Sequence, residues 1–480
     1  MTGRTRGAAA PPAPPPRARP RRDARPPELG PLLTDLQDPD AGVRRTAALL
    51  LGRRADPRAG GSLIAALSDP DAAVRAAVAE ALGATGRAEG RTDLERALGD
   101  PEAPVRANAA GAIGGLADPR SVGPLTRCVT DPVEPVRRAV AVALGRIGTE
   151  TALAALEPML SDASDHVRRE AVLGLGRDRP ARWRAAIRDA LADPSRRVRV
   201  AAAVVLGRYR DRESVTPLLA LLDHPGTWEK PAVLVALGSI GAPEAIPAIV
   251  AAAEHPAHWV RTCAIHALGT MRAAEGASVV RRHLDDPAWS VRGASAVALG
   301  SVGDASDLGR LLARLDDPHP WARRGAAYAL GQLGLAEAAP RLRENLFDGS
   351  AEARLAAIWA LGRLEDDGAC DLLLATLRGE AELQKGEGPG EDEEAMGPLG
   401  SDAESRLFDA TIQALGRLAR GSTDPRVVPA LRAVRAALSE EELDRPARLP
   451  LPERAGVDPP PSVRTLFEVA VPGGIDGEDD

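Results

Sequence analysis

Residues 131–148 read DPVEPVRRAVAVALGRIG, and this stretch decides the fold. Val136, Ala139, Val140, Ala143, Leu144 and Ile147 fall at i, i+3, i+4, i+7, i+8 and i+11, which is one apolar face of an α-helix. Asp131 suits an N-cap, Pro132 the first helical position and Glu134 the positive end of the helix dipole. Gly148 suits a C-cap. The next stretch, TALAALEPMLSD, predicts a shorter helix with Pro158 inside it. Pro124, Pro217 and Pro247 take comparable places in other short helices and are expected to bend them.

Working outward, the same pattern returns every 31 residues. An apolar-Gly pair stands at Leu51-Gly52, Leu82-Gly83, Ile113-Gly114, Leu144-Gly145 and onward to Leu361-Gly362. Eight residues before each glycine is a base, among them Arg75, Arg106, Arg137, Arg199 and Arg292, with Lys230 replacing arginine once. Six residues earlier again is an aspartate, among them Asp69, Asp100, Asp131, Asp193 and Asp286, with His224 and His255 as substitutes. Three registers locked over eleven units define a repeat array. Each unit reads as a helix pair that buries its apolar face only against its neighbours. The expected fold is an all-α α-solenoid of about twelve such repeats. A glycine inside a helix costs about 1 kcal/mol against alanine, so the repeated glycine points to close approach of the next helix.

Composition agrees with small-residue helix packing. Hydrophobic residues make up 44 % of the chain and aromatics only 2 %, leaving Ala, Leu and Val to fill the core. Cys128, Cys263 and Cys370 lie far apart, which points to neither a disulfide framework nor a zinc site and fits a reducing, cytoplasmic setting. There is no apolar run of membrane-spanning length and no signal-peptide core near residue 1. The net charge of −7 argues against general nucleic-acid binding.

The pattern DPxxxVRxxAxxALGxxG, as at Asp69 to Gly86, resembles the HEAT-like repeats named after the phycobilisome lyase family. That resemblance spans about residues 29–438 and implies a solenoid whose aspartates and arginines form a structural ladder between adjacent units. It leaves activity open, since the family holds scaffolds, bilin-attachment factors and a few enzymes.

Function is to be sought where the period is decorated or broken. Residues 1–28 form a Pro/Arg-rich leader of net charge +5, expected to be disordered. After Gly362 the next match, Leu415-Gly416, is delayed by an acidic, Gly-rich insertion at 379–405 of net charge −8. An acidic, Pro-rich tail of net charge −7 spans 439–480 and carries the apolar cluster Val463, Leu466, Phe467, Val469 and Val471. The repeats themselves are therefore net basic, at +3. Eleven arginines crowd Arg177–Arg212, where Arg182, Trp183 and Arg184 offer a place for phosphate or a stacked base. Trp228, Trp259, Trp289 and Trp321 stand near the starts of four successive long helices, with His255 and His258 beside them, as a stripe suited to a partner.

No catalytic, cofactor-binding or metal-binding residue is read from the sequence. It contains neither His-Glu dipeptides nor HExxH, and no Walker-type phosphate loop. The expectation is a non-catalytic scaffold or adaptor that binds a protein partner. A bilin-lyase-like chromophore factor and nucleic-acid binding through Arg177–Arg212 are the alternatives.

Overall fold

The computed structural model describes residues 29–86, 88–177, 181–224, 226, 228–377, 401–421 and 426–437. The 1–28 leader, most of the 379–405 insertion and the 439–480 tail lie outside the described residues. Among the described residues there are twenty-five α-helices and no strand. They form two compact units, one up to Gly174 and one from Leu175. In the first, the long helices Ala41–Arg54, Ala72–Thr85, Ala103–Leu116 and Glu134–Ile147 pack each on the next. In the second, the same succession runs through Arg196–Tyr209, Lys230–Ile240, His258–Met271, Trp289–Val302, Pro320–Gln332, Ala351–Leu364 and Ser401–Gly421. A short helix packs on each long one, as Gly60–Ala66 does on Ala72–Thr85. The architecture is an all-α solenoid.

Val136, Val140, Ala143 and Leu144 are fully buried, as their spacing requires. The helix start differs from the sequence expectation. Glu134–Ile147 begins after Val133, so Asp131 is not its N-cap. Instead one Asp131 oxygen accepts the Val133 amide at 2.9 Å, and the carboxylate receives two bonds from Arg106 at 2.8 and 3.0 Å. A carboxylate engaged with a neighbouring repeat stands too early in the chain to cap. Capping passes two residues on, to Asp40 and Asp71 where those residues are present. Gly148 closes the helix in the left-handed region, with φ 67°.

The prolines also behave differently. Pro124, Pro217 and Pro247 lie in the first turn of their short helices, where the missing N–H has no intrahelical acceptor to lose, so they need not bend them. At Pro158 the α-helix Glu150–Leu156 gives way to a 3-10 turn, Glu157–Ser161.

Most ladder arginines work in two directions. Arg75 donates to both oxygens of Asp100 in the next repeat, at 2.8 and 3.0 Å, and to the Asp69 carbonyl of its own repeat at 2.9 Å. Arg44–Asp69, Arg106–Asp131 and Arg137–Asp162 repeat this in the first unit. Arg261–Asp286, Arg292–Asp317 and Arg323–Asp348 repeat it in the second. Where His224 replaces aspartate, Arg199 turns to the buried carboxylate of Glu229 at 2.9 Å and still holds the Asp193 carbonyl at 2.8 Å. His255 keeps the turn, accepting the Ala257 amide at 3.1 Å, while Lys230 in the preceding repeat donates to the Leu222 carbonyl.

The ladder ties stability to acid. Burial pushes the carboxyls of Asp100, Asp131, Asp162, Asp286 and Asp317 up, but the arginine bond, the amide two residues on and the guanidinium charges hold each below the ordinary 3.8. For Asp69 the Arg44 bond is the leading cause. A pKa lower in the folded than in the unfolded state gives stability that is full above about pH 4 and is lost as pH falls through the folded values. The urea midpoint, followed by helical circular dichroism, is therefore expected to hold from pH 7 to about pH 5 and to fall steeply below about pH 4.

The Leu-Gly glycines are the points of closest helix approach. A Cβ on Gly207 would stand 2.7 Å from the Ala236 Cα, and one on Gly114 2.7 Å from the Ala143 Cα. Gly362 meets Ala414 in the same way at 2.7 Å. The packing phase thus resumes after the insertion, with Ser401–Gly421 taking the place of the next long helix.

Candidate partner-binding face

The tryptophans expected to mark a partner surface sit at the N-terminal ends of long helices. Trp228, Trp259 and Trp289 are 70 %, 43 % and 38 % exposed. Trp321 is half-buried beneath the guanidinium of Arg324, 4.6 Å from the ring centre. Their ring contacts fall into two clusters. Trp228 stacks on Trp259 at 6.2 Å, with His258 edge-on to Trp259 at 5.3 Å and Arg196 over Trp228 at 5.9 Å. Trp289 stacks flat on His319 at 4.0 Å. His258 also lies 3.2 Å from the Ser290 hydroxyl of the next repeat. His255 is occupied in the turn described above.

The arginine block is less open than its sequence implies. Trp183 is only 3 % exposed, so it is closed to stacking on a base, and Arg182 lies over its ring at 5.2 Å. Its 3-10 turn, Ala181–Trp183, leads into a short helix that packs on Arg196–Tyr209, which draws the indole inward. Arg184 lies over Tyr209 at 5.8 Å, Arg188 pairs with Asp211 and Glu213, and Arg199 pairs with Glu229. Arg177, Arg196, Arg197, Arg208, Arg210 and Arg212 remain exposed.

A second row was missed in the sequence. Seven residues beyond Trp228, Trp259 and Trp321 stand Val235, His266 and Tyr328. Seven residues are two turns less about 20°, so each pair shares one helix face about 10 Å apart along the axis. The row recurs every 31 residues as Val204, Val235, His266, Val297, Tyr328 and Trp359. Val204, Val235 and Val297 are exposed at 42 %, 44 % and 38 %, unusual for branched apolar side chains. Tyr328 stacks on the buried Trp359 at 4.6 Å, and Arg363 lies over the Trp359 ring at 5.8 Å. A cleft of about 580 Å³ opens here, lined by His266, Thr270, Arg272, Val297, Tyr328 and Trp359 among others. Desolvation within it holds the His266 imidazole below its ordinary 6.5, hence neutral at pH 7.

Between the two rows stand small residues, Thr262 and Cys263, then Gly293 and Ala294, then Gly325 beside the larger Arg324, whose guanidinium lies over Trp321. A Cβ on Gly325 would lie 2.8 Å from the Gly293 carbonyl oxygen, so the helix backbones themselves form the floor. The signal for the row was present three residues before each Leu-Gly glycine, but it shows only when repeats are read against one another. In the first unit the equivalent positions hold Leu49, Glu80, Gly111, Val142 and Leu173, with no aromatic. Among the described residues no three His, Cys, Asp or Glu side chains gather to hold a metal ion, and no helix is long and apolar enough to cross a membrane.

The family profile described as HEAT repeats matches residues 27–106, 92–175, 158–230, 227–300 and 308–384. The chain belongs to the HEAT-repeat family. Among solved structures, this HEAT-repeat protein is similar to yeast importin-beta (Kap95p) at 15 % identity and TM-score 0.59, covering 92 % of this chain and 72 % of that one. It is also similar to the karyopherin Kap121p, solved with the extreme C-terminus of the protein phosphatase Cdc14p, at 12 % identity and TM-score 0.56, covering 87 % and 55 %. The CpcE–CpcF complex of phycocyanin lyase from Nostoc sp. PCC7120 aligns at 22 % identity and TM-score 0.35, covering 49 % of this chain and 97 % of that one. At these identities the likeness is one of fold. No curated protein matches the sequence.

Proposed function

We propose that this HEAT-repeat protein is a non-catalytic scaffold that holds an extended, acidic segment of a protein partner along the long helices of residues 196–364. The observation that carries this reading is the row Val204, Val235, His266, Val297, Tyr328 and Trp359, one residue per repeat, exposed from Val204 to Val297 and closed by the half-buried Tyr328 and the buried Trp359, with the Trp228/Trp259 rim beside it. Exposed apolar side chains arranged in a contiguous patch mark interaction surfaces rather than chance, and tryptophan is favoured at binding hot spots. Helices packed about 8–10 Å apart present one anchor for every three residues of an extended chain rising about 3.3 Å per residue. Exposed cations outnumber acids beside the row, with Arg208 and Arg210 at one end and Arg363 next to Glu365 at the other, which favours an acidic segment. Kap121p, of the same fold, carries a phosphatase C-terminus, so the architecture is compatible with a peptide guest.

The test is a crosslinking pull-down comparing the wild-type chain with a Trp228→Ala/Trp259→Ala/Trp321→Ala variant. The variant is expected to lose at least tenfold of the specific partner while keeping its helical circular dichroism. Equal recovery would remove the tryptophan rim from the interface. A second variant, Val235→Asp, addresses the inner row separately.

A further inference from the structure

We infer that residues 463–480 of this chain occupy the same exposed row in cis, so that the protein carries its own competitor for the partner. This rests on the reading of the row as a binding face. The segment reads VRTLFEVAVPGGIDGEDD: five of its six bulky apolar residues come first, at Val463, Leu466, Phe467, Val469 and Val471, and four of its five acids last, at Asp476, Glu478, Asp479 and Asp480, with Glu468 and Ile475 outside that order.

The row has the matching order. The described chain ends in Val427–Ala437, which packs on Ser401–Gly421, itself packed on the helix that bears Trp359. A segment leaving that end meets Trp359, Tyr328, Val297 and Val235 first, and reaches the exposed Arg208, Arg210 and Arg177 last. Apolar residues then face the apolar row and acids face the arginines. Running the segment the other way would set Asp476–Asp480 beside Tyr328 and Trp359, where the exposed cation Arg363 is offset by the exposed acid Glu365.

Lengths agree as well. From the Arg196–Tyr209 helix to the Ala351–Leu364 helix there are five packing steps, or about 40–50 Å at 8–10 Å each. Eighteen extended residues cover about 60 Å. The 25 residues at 438–462 add a reach of up to about 80 Å. A tethered segment acts at an effective concentration that a separate partner must overcome.

The inference is tested with a fluorescein-labelled synthetic peptide of residues 457–480, titrated by fluorescence anisotropy onto the full-length chain. The wild type, whose row is already filled, is expected to bind it at least tenfold more weakly than a Phe467→Asp/Val469→Asp chain. Adding Val235→Asp and Val297→Asp to that chain is expected to abolish binding; if this variant loses its helical circular dichroism, the serine pair at the same sites replaces it. Equal affinity for wild type and the Phe467/Val469 variant would overturn occupancy in cis. So would binding indifferent to Val235 and Val297, or no binding at all. If the peptide fails while Val235→Asp still loses the crosslinked partner, the scaffold reading stands and the inference alone falls. If Val235→Asp keeps the partner but loses the peptide, occupancy in cis stands, while competition with the partner and the scaffold reading of the row both fall.

Discussion

Arg261→Ala is expected to destabilise the protein by about 3 kcal/mol, the lower end of the cost of breaking a buried ion pair from one side. Arg261 donates to both Asp286 oxygens at 2.8 Å and to the carbonyls of His255 and Pro256 at 3.0 and 2.9 Å. The Asp286 side chain is only 6 % exposed, against 13 % for Arg261. Removing the guanidinium leaves a buried carboxylate with the Ala288 amide at 2.8 Å, and strips two carbonyls of a charged donor. Burial is the leading influence on Asp286 and pushes its carboxyl up, so the variant carboxyl titrates higher than in the wild type. Arg282, paired with Glu254 where both side chains are more than half exposed, is the control. Arg282→Ala is expected to cost less than about 1 kcal/mol. Urea titrations of the two variants separate the cases: equal, small losses would remove the ladder as a source of stability.

What the sequence made legible follows from how often each constraint is repeated. The Leu-Gly step and the Asp–Arg register recur in unit after unit, so both could be found before any geometry was known. Misreadings came where one residue answers to a distant partner. Asp131 has a capping side chain, but its carboxylate is held by Arg106, 25 residues away, and the helix starts three residues after it. Trp183 reads as exposed because arginines flank it, yet its indole is buried. Glu229 substitutes for the aspartate missing at His224 from five residues further on, outside the register. The exposed row was hidden for a different reason. Within one helix, Val235 or Val297 is simply an apolar residue off the buried stripe. Only the common 31-residue spacing, combined with exposure, shows that these residues form a surface.

Gly331→Val tests the other repeated constraint and joins it to the binding face. Any Cβ at this position would lie 2.6 Å from the Ala360 Cα, 2.8 Å from the Ala360 Cβ and 3.0 Å from the Trp359 ring. The nearest atoms belong to a helix backbone, so a rotamer change cannot relieve the clash and the Pro320–Gln332 and Ala351–Leu364 helices must separate. Overpacking of this kind costs about 1–3 kcal/mol and occasionally more, and a clash with backbone belongs at the upper end. Because each repeat is stabilised through its neighbours, a weakened junction uncouples the two sides of the array. Thermal melts are expected to show a lowered first transition and to broaden or split. The same separation moves Trp359 from its 4.6 Å stack on Tyr328, so peptide or partner binding at that end should fall along with stability. Gly309→Ala is the contrasting substitution: it lies in the short helix Leu308–Arg314, and an added Cβ meets nothing within 4 Å. There the ordinary helix preference for alanine is expected to appear as a gain of up to about 1 kcal/mol. An unaffected Gly331→Val would mean that the repeated glycine does not set the helix spacing, and a Gly309→Ala destabilised as much as Gly331→Val would mean that the loss comes from changing any glycine and not from the close approach of the long helices.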